Sequence, residues 1–179
     1  PYILGISSGA SFGATLAIVL GLGYTFFGLG AITAFAFLGS ILTMLFLYHI
    51  AKIGNKVPVI TLLLAGVAIS FMLSSMVSIM MIFNRSNLEQ IVFWIMGSVA
   101  SANWEQIALL LPLTIAGIIV VLFFSRDLNL MSIDEETAQN LGVEVEKMKK
   151  LLLFLCSLLI SVVVSVSGII GFVGLIVPH

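Results

Sequence analysis

Charged side chains are scarce. Asp, Glu, Lys and Arg make up 8% of the 179 residues, against about 25% in soluble domains. A water-soluble fold of this size must cover itself with polar groups. A chain that is 61% hydrophobic, with a mean hydropathy of +1.28, does not have them. The sequence reads as an integral membrane protein. Basic excess is also missing: the net charge of -1 leaves no field for nucleic acid. The single cysteine, Cys156, excludes an intrachain disulfide and gives no metal-site spacing; inside its apolar run it reads as a small buried hydrophobe. No Ser-His-Asp, H-E-x-x-H or paired intramembrane carboxylate pattern is present, which argues against an intramembrane hydrolase. Nor does any long apolar run carry a charge at its middle, the usual marker of an ion or proton pathway. His49 and His179 read as satisfied polar groups near an interface. No basic n-region precedes the first apolar stretch, so a signal peptide is not expected. The chain begins Pro1-Tyr2 and stops within "GFVGLIVPH", as a piece of a longer protein would.

What is present is a series of charge-free runs long enough to cross a bilayer, which takes about 20 residues. Spans are expected near 3–22, 30–51, 58–83, 105–125 and 150–168, giving an all-α, polytopic transmembrane bundle of five spans plus short helices. The glycines of "GLGYTFFGLG" (21–30) separate the first two. Pro58 opens the third in the favourable first-turn position, and "NRSN" (84–87) ends it. The apolar stretch that follows is too short to span; it predicts an interfacial helix over 88–97 with Trp94 near the headgroups. Glycines 168, 171 and 174 predict a broken helix, whose backbone must be buried in protein or line water. Lys52, Lys56, Arg126, Lys147, Lys149 and Lys150 fall in one set of loops, and only Arg85 in the other. The positive-inside rule places the first set in the cytoplasm and turns 84–104 outward.

The little charge that exists is concentrated. Eight of the fifteen charged residues lie in "MSIDEETAQNLGVEVEKMKK" (131–150). Ser132 and Glu135 have the spacing of a capping box, and Asp134, Glu135 and Glu136 put negative charge where a helix dipole favours it. Gly142 after Leu141 predicts a left-handed C-cap. The stretch therefore predicts a helix over 133–141, about 13 Å long, with a second helix starting near Glu144 and entering the membrane. A lone helix of two to three turns is not stable in water and needs a surface. That surface is either the headgroups and bundle or a soluble partner. An acidic first turn disfavours anionic lipid, but composition alone leaves both open.

Small and hydroxyl residues form rows. Gly5, Gly9, Gly13, Ala17 and Gly21 recur every fourth position, a close helix-packing stripe. Gly66, Ser70, Ser74 and Ser78 recur likewise, near Met72, Met76 and Met80. Those serines could bond back to their own helix or line a mildly polar path for a bulky ligand. Ser157, Ser161 and Ser165 make a third row, read as packing.

Three blocks carry a family resemblance. "PYILGISSGASFGA" (1–14), "LLLAGVAIS" (62–70) with "FWIMGSVAS" (93–101), and "MSIDEETAQNLGV" (131–143) with "GIIGFVGLIVPH" (168–179) resemble the permease subunits of binding-protein-dependent ABC importers for iron-siderophores, haem and vitamin B12, the FecCD-like family. Order and spacing agree over nearly the whole chain. The resemblance implies a segment of a ten-helix subunit in the cell inner (plasma) membrane, with helices three to seven present. It implies a second permease copy as a homodimer, an ABC ATPase subunit, and a periplasmic or lipid-anchored substrate-binding protein as partners, besides membrane lipid. In that family the loop matching 131–143 docks into the ATPase, and Glu135, Ala138, Leu141 and Gly142 match its E-x-x-A-x-x-L-G pattern. With Ser132 and Asp134 they form the expected coupling site within a cytoplasmic loop, 126–149. No cofactor or metal is expected on this chain; ATP and Mg belong to the partner. The resemblance also supports the path reading of Gly66, Ser70, Ser74 and Ser78.

The leading reading is thus the translocating subunit of an importer for a metal chelate, driven by ATP hydrolysed elsewhere, and not an enzyme itself. Iron-siderophore, haem, cobalamin or an oxyanion such as molybdate all fit a path without charged ligands. The alternative is an ATP-independent secondary transporter or channel, which would call for an intramembrane charge. A plain membrane anchor leaves the capped loop helix unexplained. Arg85 and Glu89 face outward, where they could touch a binding protein or merely pair with each other.

Overall fold

In the computed structural model, described over residues 5–22, 25–26, 29–52, 54, 57–99 and 104–170, the chain is a helical bundle. Its helices are α1 (Ile6–Val19), α2 (Ala31–Ala51), α3 (Val59–Phe83), α4 (Leu88–Met96), α5 (Trp104–Phe123), α6 (Ser125–Ile133), α7 (Glu135–Asn140) and α8 (Val145–Ser167). A 3-10 turn over Arg85–Asn87 joins α3 to α4. The only strands among the described residues are β1 (Thr25–Phe26) and β2 (Leu29–Gly30), a two-residue antiparallel pair between α1 and α2.

Among the described residues four helices, α2, α3, α5 and α8, are long and apolar enough to cross a membrane. The expected first span is shorter than 3–22: α1 has 14 residues, or about 21 Å at 1.5 Å per residue. Gly5 at its start lies beside Gly66 and Ser70, well inside α3, so α1 starts partway along the bundle. The last helix, α8, starts at Val145, as the expected helix start near Glu144 requires, so the charged residues ahead of the apolar span 150–168 sit on its first turns.

The bundle is held by backbone proximity. Lipid tails are as apolar as leucine, so helices in a membrane gain little from hiding apolar surface and much from close packing. Gly9 and Gly13 of α1 cross Gly39 of α2 so tightly that a Cβ on Gly13 would run into the Phe35 carbonyl, and one on Gly9 into Thr43. Ala10 and Ala14 continue this face into a buried cluster with Ala36 and Val164, flanked by Ile32, Trp94, Ile160 and Ile169. A second cluster, Leu47, Ala51, Val57, Leu62 and Ile69, joins α2 to α3. Gly117 lets α5 approach Leu159 of α8.

Two small-residue expectations change. Gly21 does not pack against a helix: it lies beyond the end of α1, at φ 62° with no atom within 4 Å of an added Cβ. It forms the left-handed turn of a Schellman cap, with Gly21 N–H donating to the Ile18 carbonyl and Leu22 N–H to that of Ala17, both at 3.1 Å. Cys156, expected to be buried, is exposed on the outer face of α8, where an apolar thiol suits lipid as well as a core. Ser157, Ser161 and Ser165 are buried, and each hydroxyl bonds back to a carbonyl of its own helix.

The helices alternate in direction. Glu146 Oε2 accepts from the Val57 N–H at 3.4 Å, which places the α2–α3 loop and the start of α8 at one end. Lys52, Arg126, Lys147, Lys149 and Lys150 gather there. At the other end Asn87 Nδ2 donates to the Ile18 carbonyl at 3.4 Å, and the Ser98 N–H to that of Ser167 at 2.8 Å. Arg85 is the lone cation of that end among the described residues.

Candidate functional site: the α6–α7 loop and the α3 hydroxyl row

Between α5 and α8 the loop folds as two short helices, α6 and α7, where the sequence predicts one over 133–141. α6 leaves α5 after Phe124 and runs to Ile133; the chain then reverses at Asp134, whose extended backbone (φ -164°, ψ 137°) ends α6 and starts α7. The expected capping box is replaced. Asp134, not Ser132, caps α7: Asp134 Oδ2 accepts from the Thr137 N–H at 2.8 Å and from its hydroxyl at 2.9 Å. Ser132 lies within α6, where its hydroxyl donates to the Asn129 carbonyl at 2.8 Å. The physical reason is that residues 125–133 are already helical, which leaves Asp134 as the first residue free to be extended. Nothing in "SRDLNLMSI" shows a clean apolar stripe, so periodicity could not reveal α6. Glu135 is the first residue of α7; its side chain lies outside the described part of the structure.

α7 ends as its glycine predicts. Gly142 adopts φ 89°, its N–H donates to the Gln139 carbonyl, and the Val143 N–H reaches back to that of Ala138, both at 3.0 Å. Ala138 is fully buried beneath the helix. On the open side Ile133 is 79% and Leu141 62% exposed. Two large apolar side chains thus flank a six-residue helix in the most charged part of the chain. Behind them a cleft of about 600 Å³ lies between α6 and the first turns of α8, with Arg126, Asp127, Glu144 and Lys147 around an apolar floor that includes Leu130 and Met148. Lys147 and Glu144 pair on its rim, both well exposed, so that pair is worth little to stability.

The hydroxyl row on α3 divides in two. Gly66 is buried and Ser70 half-buried, both against Gly5 of α1, and the Ser70 hydroxyl bonds back to the Gly66 carbonyl at 2.8 Å. That half is a packing contact. Ser74 and Ser78 are exposed, with the Ser78 hydroxyl on the Ser74 carbonyl at 2.9 Å. Met72 and Met76 are exposed near them, and most of the circumference of α3 is open. No cluster of three or more His, Cys, Asp or Glu side chains placed to hold a metal occurs among the described residues.

Comparison with known proteins gives one answer. Over all 179 residues the chain is 37% identical to the cobalamin import system permease protein BtuC of Halobacterium salinarum, covering 47% of it. It is 36% identical over 181 residues to the molybdate import system permease protein MolB of Haemophilus influenzae, covering 52%. A solved structure, described as an inward-facing conformation of a metal-chelate type ABC transporter, superimposes with a TM-score of 0.87 at 34% identity. That match covers 100% of this chain and 56% of the other. The chain spans about half the length of the curated relatives it matches. With its four apolar helices, this makes it part of a multi-pass inner-membrane protein. The family model for the FecCD transport family matches residues 1–179 without remainder, and the chain belongs to that family.

Proposed function

We propose that this chain is part of the membrane-spanning permease subunit of a binding-protein-dependent ABC importer, moving a metal chelate inward at the expense of ATP hydrolysed by a separate partner subunit. The observation that carries the reading is the match over the whole chain to import permeases, one for cobalamin and one for molybdate. A third relative of the same kind, 36% identical over 186 residues, is the hemin transport system permease protein HmuU of Yersinia pestis.

The geometry supports a division of labour. The α7 knob stands at the basic end, which the positive-inside rule assigns to the cytoplasm. A six-residue helix cannot stand alone in water. Asp134 and Gly142 fix its two ends, and Ile133 and Leu141 offer apolar anchors to a soluble partner. The ATPase, carrying ATP and Mg, takes this knob in our reading. A second permease copy faces the open side of α3, so that Ser74 and Ser78 line the path between copies. A path of hydroxyls and methionines has no charged ligand with which to hold cargo tightly, so selection falls to an external binding protein at the end that carries Arg85.

Uptake by proteoliposomes tests the reading. The full-length parent, reconstituted with its ATPase and binding protein, should accumulate a corrinoid or iron chelate only when ATP is supplied. Uptake driven by an ion gradient in the absence of ATP would refute it in favour of a secondary transporter.

A further inference from the structure

Two glycines that belong to neither the knob nor the path meet at the outward end of the bundle. Gly97 follows α4 and Gly168 follows α8, and both take φ 70°. Backbone from the other helix end fills the place of each missing side chain. A Cβ on Gly97 would lie 2.5 Å from the Ile169 carbonyl oxygen; one on Gly168 would lie 2.5 Å from the Trp94 carbonyl oxygen and 2.8 Å from the Gly97 Cα. Beside the crossing, the Ser98 N–H donates to the Ser167 carbonyl at 2.8 Å, a backbone bond between two helix ends 69 residues apart. Below it Trp94, Ile160 and Ile169 each pack against the buried cluster of Ala10, Ala14, Ala36 and Val164, which ties both helices to α1, and Ile91 of α4 is fully buried. Only glycine tolerates both the positive φ and the contact, so neither position accepts another residue without moving the backbones apart.

We propose that this crossing is a clamp that makes α4 and α8 one rigid unit during transport, with Gly97 and Gly168 as its positioning residues. The proposal rests on the permease reading. α8 is one unbroken helix of 23 residues, about 34 Å long. It starts beside the α7 knob and ends at the clamp. A displacement that α7 passes to the start of α8 across Leu141–Glu144 therefore travels to the clamp along one unbroken helix. On its other side α4 joins α3 through Asn84 and the 3-10 turn Arg85–Asn87, where the backbone of Asn84 (φ -122°, ψ 62°) belongs to neither helix. Motion between α3 and α4 bends there, while α4 and α8 stay together. Bistable packed units joined by a few terminal residues are the general form of such transitions.

The test is a cross-link that is harmless across a rigid unit and harmful across a moving one. In the full-length protein, with Cys156 and any other cysteine replaced, Ser98→Cys and Ser167→Cys are introduced together and oxidised. The expected result is efficient disulfide formation with ATP-driven uptake equal to that of the reduced protein. Uptake lost on oxidation and regained on reduction would overturn the proposal, and so would failure of the pair to cross-link. A second measurement does not depend on uptake: spin labels at Gln90 and Val163, both exposed, should give one unchanged distance with and without the ATPase and nucleotide. A shifted or second distance overturns the clamp. Absence of ATP-driven uptake in the reduced protein too would count against the permease reading, and the label distance would still decide the clamp.

Discussion

The carboxylate of Asp134 receives both the backbone N–H and the hydroxyl of Thr137, at 2.8 and 2.9 Å. This pair, rather than Ser132 with Glu135, starts the helix at the tip of the loop. Asp134→Ala should weaken the start of α7 by about 1 kcal/mol, seen as faster hydrogen exchange at amides 135–140. Ser132→Ala removes only a bond within α6 and should leave those amides unchanged. Equal effects of the two substitutions would contradict the assignment.

Gly142 closes the same helix at φ 89°, with open space around its absent side chain. Gly142→Ala meets no steric wall and carries only the left-handed backbone penalty, about 1–2 kcal/mol. Gly142→Pro cannot reach positive φ and also loses the N–H that donates to Gln139. Transport should fall modestly in the first variant and collapse in the second, with membrane insertion unaffected in both. Glu135→Lys, which reverses charge on the first turn, works against the helix dipole by about 0.3–1 kcal/mol and should likewise uncouple ATP hydrolysis from uptake.

Gly13 and Gly21 were members of one stripe in the sequence but have unlike surroundings. Gly13→Leu forces α1 off the Phe35 carbonyl and should cost about 1–3 kcal/mol or more, read as a lower melting temperature in detergent. Gly21→Ala strains only a turn in open space and should lower it much less.

The serine rows make a similar contrast. Ser161 is fully buried between helices, whereas Ser78 is exposed on α3. Ser161→Phe should prevent assembly of a folded permease. Ser74→Phe and Ser78→Phe should leave the protein folded and bound to its ATPase while blocking uptake, which transport assays on assembled complexes would register. Normal uptake in both α3 variants would remove these residues from the path.

These contrasts show what a sequence can and cannot carry. The long helices α2 and α3 begin and end within a residue or so of expectation, because Pro58, the "NRSN" break and the apolar runs act locally. The C-cap at Gly142 is legible for the same reason: one glycine must supply one positive φ. What stayed hidden depends on partners far along the chain. Gly39 gave no sign that it meets Gly9 and Gly13, nor Gly97 that it meets Gly168, since each is a single glycine until another backbone crosses it. α6 was hidden by its mixed composition, and its presence moved the cap of α7 from Ser132 to Asp134. The row from Gly66 to Ser78 was visible as a period, but only the neighbouring helix shows that half of it packs and half is open.

The proposed grip of an ATPase on α7 is open to direct measurement. The full-length parent should be co-expressed with the ATPase encoded beside it, purified through a tag on the ATPase, and compared with its Asp134→Ala and Gly142→Pro variants. The account predicts a stable complex that hydrolyses ATP and is weakened by both substitutions, more severely by Gly142→Pro. A parent protein that never associates with the ATPase, in detergent or in lipid, would contradict it.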